Sequence, residues 1–547
     1  MTRRAYALDQ VDSRPFRGDG VISAHELAAH ERALQDIQLW DTDVLRPEVD
    51  QQQSIGSYYT FPQLTVDRYR RSGETEGLIV AVRQLDLQRV EPSGRTWGND
   101  RLAYTHGYGL VAVPAGDEGV DAQGKPRFAT PALGAEGLTA PLRQPRVYYG
   151  IQPRGAGPWV IAATRRPEIE QSQAALAAGP DYHYDGAGGI PMSSLVRRAV
   201  LALRLGDINV LLSETIGGRA RLLLRRDVGE RLETLAPFLH WGRPEAASVG
   251  GRIRYFVDGY TTSASYPYSA AMTLGGERLN YLRASVVADV DAFDGRVTMY
   301  AMDDEDPILH AWRGVFPTLF TPARQLPAGV RAHLRYPREL FAAQAAIWST
   351  YHGTNPDDFY TRDDAWKRPA DVTGSVARVG TLANRADARP PLLRPEYTLG
   401  RLPGDRRERF MLATPFTPYS QENLTGYLAG SIDAKRRLRL TELDLPRSRR
   451  VLGPAQVTRL ILADPVVSER LRVLNTETTD LGDRSINSVG IGDPRIVPIA
   501  GSFLYVQPIY VTAESSGITR LRLVTVYLNG RVGYGRTLAA ALRRARR

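Results

Sequence analysis

Cysteine does not occur in this chain of 547 residues. Its absence removes disulfide frameworks, thiolate metal sites and cysteine nucleophiles at once, and it is compatible with either side of a membrane. Lysine is scarce as well, standing only at Lys125, Lys367 and Lys435. The formal charge of +10 is therefore carried by arginine, spread along the chain rather than gathered into a stripe. Denser basic spots are RSRR at 447–450 and LRRARR at 542–547, and a basic last turn is what a helix dipole favours. No nucleic-acid motif accompanies either, so nucleic acid is not an expected partner. Long apolar runs are missing too, since no window approaches the roughly 20 residues that cross a bilayer. The start, MTRRAYALDQ, lacks the apolar stretch of a signal peptide.

What is present is a globular composition with 43% hydrophobic residues, enough to bury several substructures. The stretch 251–307 is the most ordered in pattern. Polar and apolar residues alternate through 252–260 and again through 284–300, with Asp294-Gly295 between two runs, which predicts a hairpin over 283–302. Ahead of it TTSASYPYS places Tyr, Ser and Thr around Pro267, an ordered loop at a strand end. Ser23 and Glu26 have capping-box spacing and predict a helix over 24–39. Leu340, Phe341, Gln344, Ile347, Trp348 and Tyr351 recur at helical spacing and predict a helix over 333–352 packed on the central sheet. The sum is an α+β protein of mostly antiparallel sheets: a main domain over 1–365, a linker or extended segment over 366–395 and a C-terminal α/β part over 396–547.

The candidate site residues come from these stretches. Tyr260, Thr261, Thr262, Tyr266 and Tyr268 form the loop cluster, with Arg283 opposite. His106, beside Tyr108, His333, near Arg335, and His352 each stand among aromatics and glycines and could act as a base near neutral pH. A histidine bonded inside a core is the commoner case. Tyrosine outnumbers phenylalanine 26 to 13, which suits surfaces that meet sugars, peptides or headgroups and suits half-buried strands equally. Asp289, Asp291, Asp303, Asp304 and Asp306 are candidate ligands for a divalent cation such as calcium. The EF-hand pattern fails, however, with the third Asp one place late and Tyr300 at position twelve, so solvated carboxylates are the plain reading and no cofactor is expected.

Several long blocks resemble the extracytoplasmic part of uncharacterised protein family 0182: WGNDRLAYTHGYG (97–109), DGYTTSASYPYS (258–269), NYLRASVVADVDAFDGRVTMYAMDDEDPI (280–308), HLRYPRELFAAQ (333–344) and FYTRDDAW (359–366). TRRAYALD (2–9), IQLWD (37–41), SYYTFPQLTVDRY (57–69) and FLYVQPIYVTAE (503–514) follow the family order. Ala7, Gly98 and Phe293 depart from the expected Gly, Asn and Tyr. The resemblance implies a bacterial or archaeal multi-pass membrane protein whose helices precede a large ectodomain, and those helices are not in this sequence. A truncated gene, a late start codon and an excerpted domain are each consistent with that.

The expected location is the extracytoplasmic face of the cell membrane. The expected role is non-enzymatic, a binding or scaffold module for an envelope component or protein partner, in contact with the membrane surface or with its own missing transmembrane region. The alternative is an envelope hydrolase or transferase using the 260–268 loop with His106 or His333. Tyr6, Leu8, Val11 and Phe16, interspersed with arginines, are expected to form a membrane-facing surface near the N-terminus.

Overall fold

The structure is a computed structural model that describes all residues except 55, 72, 130–141, 154–156, 170–181, 354, 372, 374–390, 477–486 and 514–515. It is α+β, and its sheets are mostly antiparallel. At the centre, strand Arg252–Ser263 pairs with Tyr281–Asp291, which turns back through Asp294-Gly295 into Val297–Ala301. Gly295 takes φ +67°, and a Cβ there would meet the Tyr149 ring at 2.6 Å, so glycine is demanded by both backbone and space. Alternation buries both faces of this hairpin. Tyr255, Val257, Val286 and Ala288 face one core, while Phe256, Val287 and Tyr300 face another that includes Val330 and Leu334.

The helix Arg338–Tyr351 starts after Pro337, whose missing N–H costs nothing at a helix entry. It buries Leu340, Phe341, Gln344, Ile347 and Trp348 in one core shared with Tyr260, Tyr281 and Leu282 of the hairpin and Leu412, Phe416 and Leu428 of the C-terminal sheet. The capping box at Ser23 and Glu26 is formed, but the helix stops at Ala29 and restarts as Glu31–Gln35.

The C-terminal strands Glu396–Gly400, Arg409–Pro418, Gly426–Ile432 and Leu438–Asp444 are antiparallel to one another. Their sheet recruits two strands from earlier in the chain. Trp366–Lys367 joins one edge, and Val11–Pro15 runs parallel to Leu438–Asp444 at the other. Most of the expected 366–395 linker lies outside the described residues.

The N-terminal stretch corrects one expectation. Tyr6, Leu8 and Phe16 are core residues and do not face outward, because the strand beside them is drawn into the sheet. The Tyr6 hydroxyl donates to the Ala270 carbonyl at 2.9 Å, and the Gln344 amide donates to the Tyr6 carbonyl at 2.8 Å. Val11 is half-buried.

Candidate functional site

A cleft of about 360 Å³ opens where helix Arg338–Tyr351 ends, walled by Ser13, His352, Asp358, Asp364, Trp366, Glu442, Asp444 and Arg447 among others. Each wall residue has a structural reason for its position. His352 is the residue at which the long helix stops. Asp358 sits on the one-turn helix Pro356–Thr361, capped by the Asn355 side chain, and Arg362 follows in the left-handed region at φ +60°, which turns Asp364 back toward His352. Trp366 lies on the edge strand, and Glu442 and Asp444 lie on Leu438–Asp444.

The His352 ring stacks on Trp366 with centroids 3.6 Å apart and planes at 21°. Its Nδ1 faces the Trp348 carbonyl oxygen at 3.1 Å, and its Nε2 faces Asp364 Oδ2 at 3.2 Å. Arg447 Nη2 lies 2.5 Å from the same oxygen. Both ring nitrogens are thus engaged by groups of the fold. Trp348 Nε1 donates to Glu442 at 2.6 Å. Burial pushes the Asp444 carboxyl above its ordinary range, with His352 and Arg447 pulling it back. Buried Trp366 Nε1–H has no partner among the described residues. Asp358, Asp364, Glu442 and Asp444 against the Arg447 guanidinium give the cleft an acidic balance.

The other two candidate histidines lie inside. His333 Nδ1 meets Asp67 at 2.7 Å, and Arg335 reaches the same carboxylate at 3.1 Å. Burial would raise the Asp67 pKa, yet Arg335 and His333 hold it well below the carboxylate range. His106 faces Thr105 Oγ1 at 2.9 Å and Glu168 at 3.5 Å. Burial of Glu168 is outweighed by His106, Thr105 and Tyr148, which lower its pKa. Tyr108 is buried, and its carbonyl accepts from Arg83. Of the loop cluster, Tyr260 donates to Glu339 at 2.7 Å and Thr261 to Asp306 at 2.5 Å. Thr262 is half-buried opposite Leu282, Tyr266 packs on Tyr281, and only Tyr268 is fully displayed.

The acidic run is dispersed and largely buried rather than solvated. Asp289 takes Arg254 at 2.7 Å, Asp291 takes Arg252 at 2.8 Å, Asp303 lies 3.5 Å from Arg283, and Asp304 binds Arg313 at 2.8 Å. Asp306 accepts from Thr261, Ser285 and Tyr281 and caps the helix Pro307–Val315. Among the described residues no group of three His, Asp or Glu is placed to hold a metal ion.

The family model described as Uncharacterised protein family (UPF0182) matches residues 1–474. The chain belongs to this family. The UPF0182 protein of Microcystis aeruginosa is 34% identical over 99% of this chain and 56% of its own length. That of Moorella thermoacetica is also 34% identical, over 99% and 56%, and that of Bradyrhizobium diazoefficiens is 33% identical over the same shares. The chain thus spans little more than half the length of the curated relatives it matches. No solved structure matches it. No helix among the described residues is long and apolar enough to cross a membrane.

Sequence reasoning on this UPF0182 chain missed Asp364, Trp366, Glu442, Asp444 and Arg447 as wall residues. Asp364 and Trp366 lie in the FYTRDDAW block, which was the available signal. Glu442 and Asp444 arrive from strand Leu438–Asp444 and Arg447 from the turn after it, whose place beside His352 no local pattern encodes. Asp258 was missed as well. Burial, with Glu339 and Glu245 nearby, pushes its carboxyl up to about 8.

Proposed function

We propose that the chain is the extracytoplasmic domain of a membrane-associated protein and acts there as a binding or scaffold module, with the His352 cleft as its polar binding site. The supporting observation is a collar around the first helix, Thr2–Ala5. Tyr268 and Tyr360 are 93% and 88% exposed, beside exposed Met1 and Phe359. The collar is tied to that helix. Thr2 Oγ1 accepts from Ala270 N at 3.0 Å, Arg3 donates to the Gly353 carbonyl at 3.2 Å, and Phe359 packs on Tyr351 at 5.1 Å. Tyrosines with arginines between them are the residues that settle at headgroup level. The share of the relatives' length that this chain leaves unmatched agrees with a further part on which such a collar would rest. The His352 ring, held by the Trp348 carbonyl, Asp364 and the Trp366 face, gives the cleft a fixed polar wall.

Flotation of the purified chain with phosphatidylglycerol vesicles tests the reading. The wild type is expected to float, and Tyr268→Ser with Tyr360→Ser to lose most of the bound fraction. A wild type that stays at the bottom of the gradient, or a double variant that floats equally well, overturns it.

A further inference from the structure

The largest apolar anomaly lies elsewhere. Leu195, Val196, Val200, Leu203, Ile208 and Leu212 are each between 59% and 86% exposed, and they fall within one short stretch. Helix Leu195–Leu205 is well built. Ser194 caps its start and Gly206, in the left-handed region at φ +65°, ends it. Its inner side, with Ala202, packs against Trp159, Ile161 and Leu222. Its outer side carries Val196, Ala199, Val200 and Leu203 at spacing i, i+3, i+4, i+7, which is one continuous stripe on a helix. Single exposed aliphatics need no explanation, but a contiguous patch of this kind marks a contact surface.

We propose that this stripe, continued by Ile208 and Leu212, is a lipid-docking surface that lies in the headgroup layer of an anionic bilayer. The charge pattern selects the occupant. Helix Leu195–Leu205 holds three arginines and no carboxylate. Arg198 turns inward to the carbonyls of Val210, Leu211 and Ser213, while Arg197 and Arg204 flank the stripe, with exposed Arg219 nearby in the chain. Pairing two copies of the helix would set arginine against arginine with no acid on it to answer them. Anionic headgroups answer the outward Arg197 and Arg204, and an amphipathic helix with an apolar stripe and a basic margin lies in that layer with its apolar side about 5–10 Å deep.

The position gives the contact a consequence for orientation. The small sheet that carries the helix meets the hairpin at its turn, where Ala187 N donates to Asp294 at 3.1 Å. The tyrosine collar stands at the opposite end, where Ser263 pairs with Tyr281. Eleven residues of strand Tyr281–Asp291 separate the two ends, roughly 35 Å. With both contacts made, the hairpin lies along the membrane plane instead of standing on it. This inference rests on the proposed membrane-surface reading and specifies a second contact for it.

The absence of cysteine supplies the experiment. Leu203→Cys accepts a single polarity-sensitive fluorophore, read with phosphatidylglycerol and with phosphatidylcholine vesicles. Flotation of Val200→Ser with Leu203→Asp is run beside the collar variant, with circular dichroism to confirm folding. The expected results are a blue-shifted label on anionic vesicles alone and at least a tenfold loss of binding in the helix variant. An unshifted label with a helix variant that floats normally overturns the inference, and if the collar variant then fails to float, the membrane reading survives without it. A label that shifts without vesicles, in a dimer abolished by Leu203→Asp, overturns it in favour of a second copy. If neither variant loses binding, both readings fall.

Discussion

His333 and His352 flank the same helix, and each faces an aspartate that also binds an arginine, at 2.7 Å and 3.2 Å respectively. The first set is sealed. Asp67 is fully buried, and His333 and Arg335 are nearly so. The second lines an open cleft, where Asp364 and Arg447 meet water. Similar chemistry therefore serves two ends. A buried ion cluster is costly to disrupt, because removing one member strands the others away from solvent, whereas an exposed pair is weak and remains accessible to a ligand.

The largest expected effect that could break this comparison is in the sealed set. Asp67→Ala leaves Arg335 and His333 without their shared carboxylate and is expected to cost about 3–5 kcal/mol in urea unfolding. A loss below about 1 kcal/mol would mean that water reaches Asp67 and that the two sites are alike.

The next concerns pH, where two carboxyls near Arg335 act with opposite sign. Asp67, with its pKa depressed in the folded state, contributes stability that fades as the pH falls below the ordinary carboxylate range. Asp258, with its pKa raised to about 8, binds a proton in the folded state that the unfolded chain releases near about 4. Its contribution is lost as the pH rises between those values. Asp258→Asn should therefore raise the melting temperature relative to wild type more at pH 9 than at pH 5. Equal shifts at both pH values would show that Asp258 titrates normally.

The smallest effect sharpens the contrast. Asp364→Asn is expected to change stability by about 1 kcal/mol or less, while releasing Arg447 and loosening the His352 stack on Trp366. That loosening would be visible as altered His352 ring shifts in NMR. A stability loss as large as that of Asp67→Ala would make the cleft a structural element rather than a binding site.

Much of the hairpin was legible because a two-residue alternation and a turn glycine are local facts. The helix Arg338–Tyr351 was legible for the same reason. Asp289 and Asp291 were misjudged as solvated because Arg254 and Arg252 reach them from the neighbouring strand, and register is not written in either strand alone. The N-terminal tyrosine and phenylalanine were misjudged in the same way, since their covering comes from the far end of the chain. Of the site, His352 was legible as a candidate. Its surroundings were not, since Ser13, Glu442 and Arg447 are brought to it by tertiary pairing.

The parallel pairing of Val11–Pro15 with Leu438–Asp444 also sets a clock on biosynthesis. The first strand must wait for a partner made about 430 residues later, roughly 20 to 90 s at ordinary elongation rates. Throughout that interval an unsatisfied strand and the aromatic residues beside it stand open to mispairing. The edge formed by Val11–Pro15 can therefore close only after Asp444 has been made.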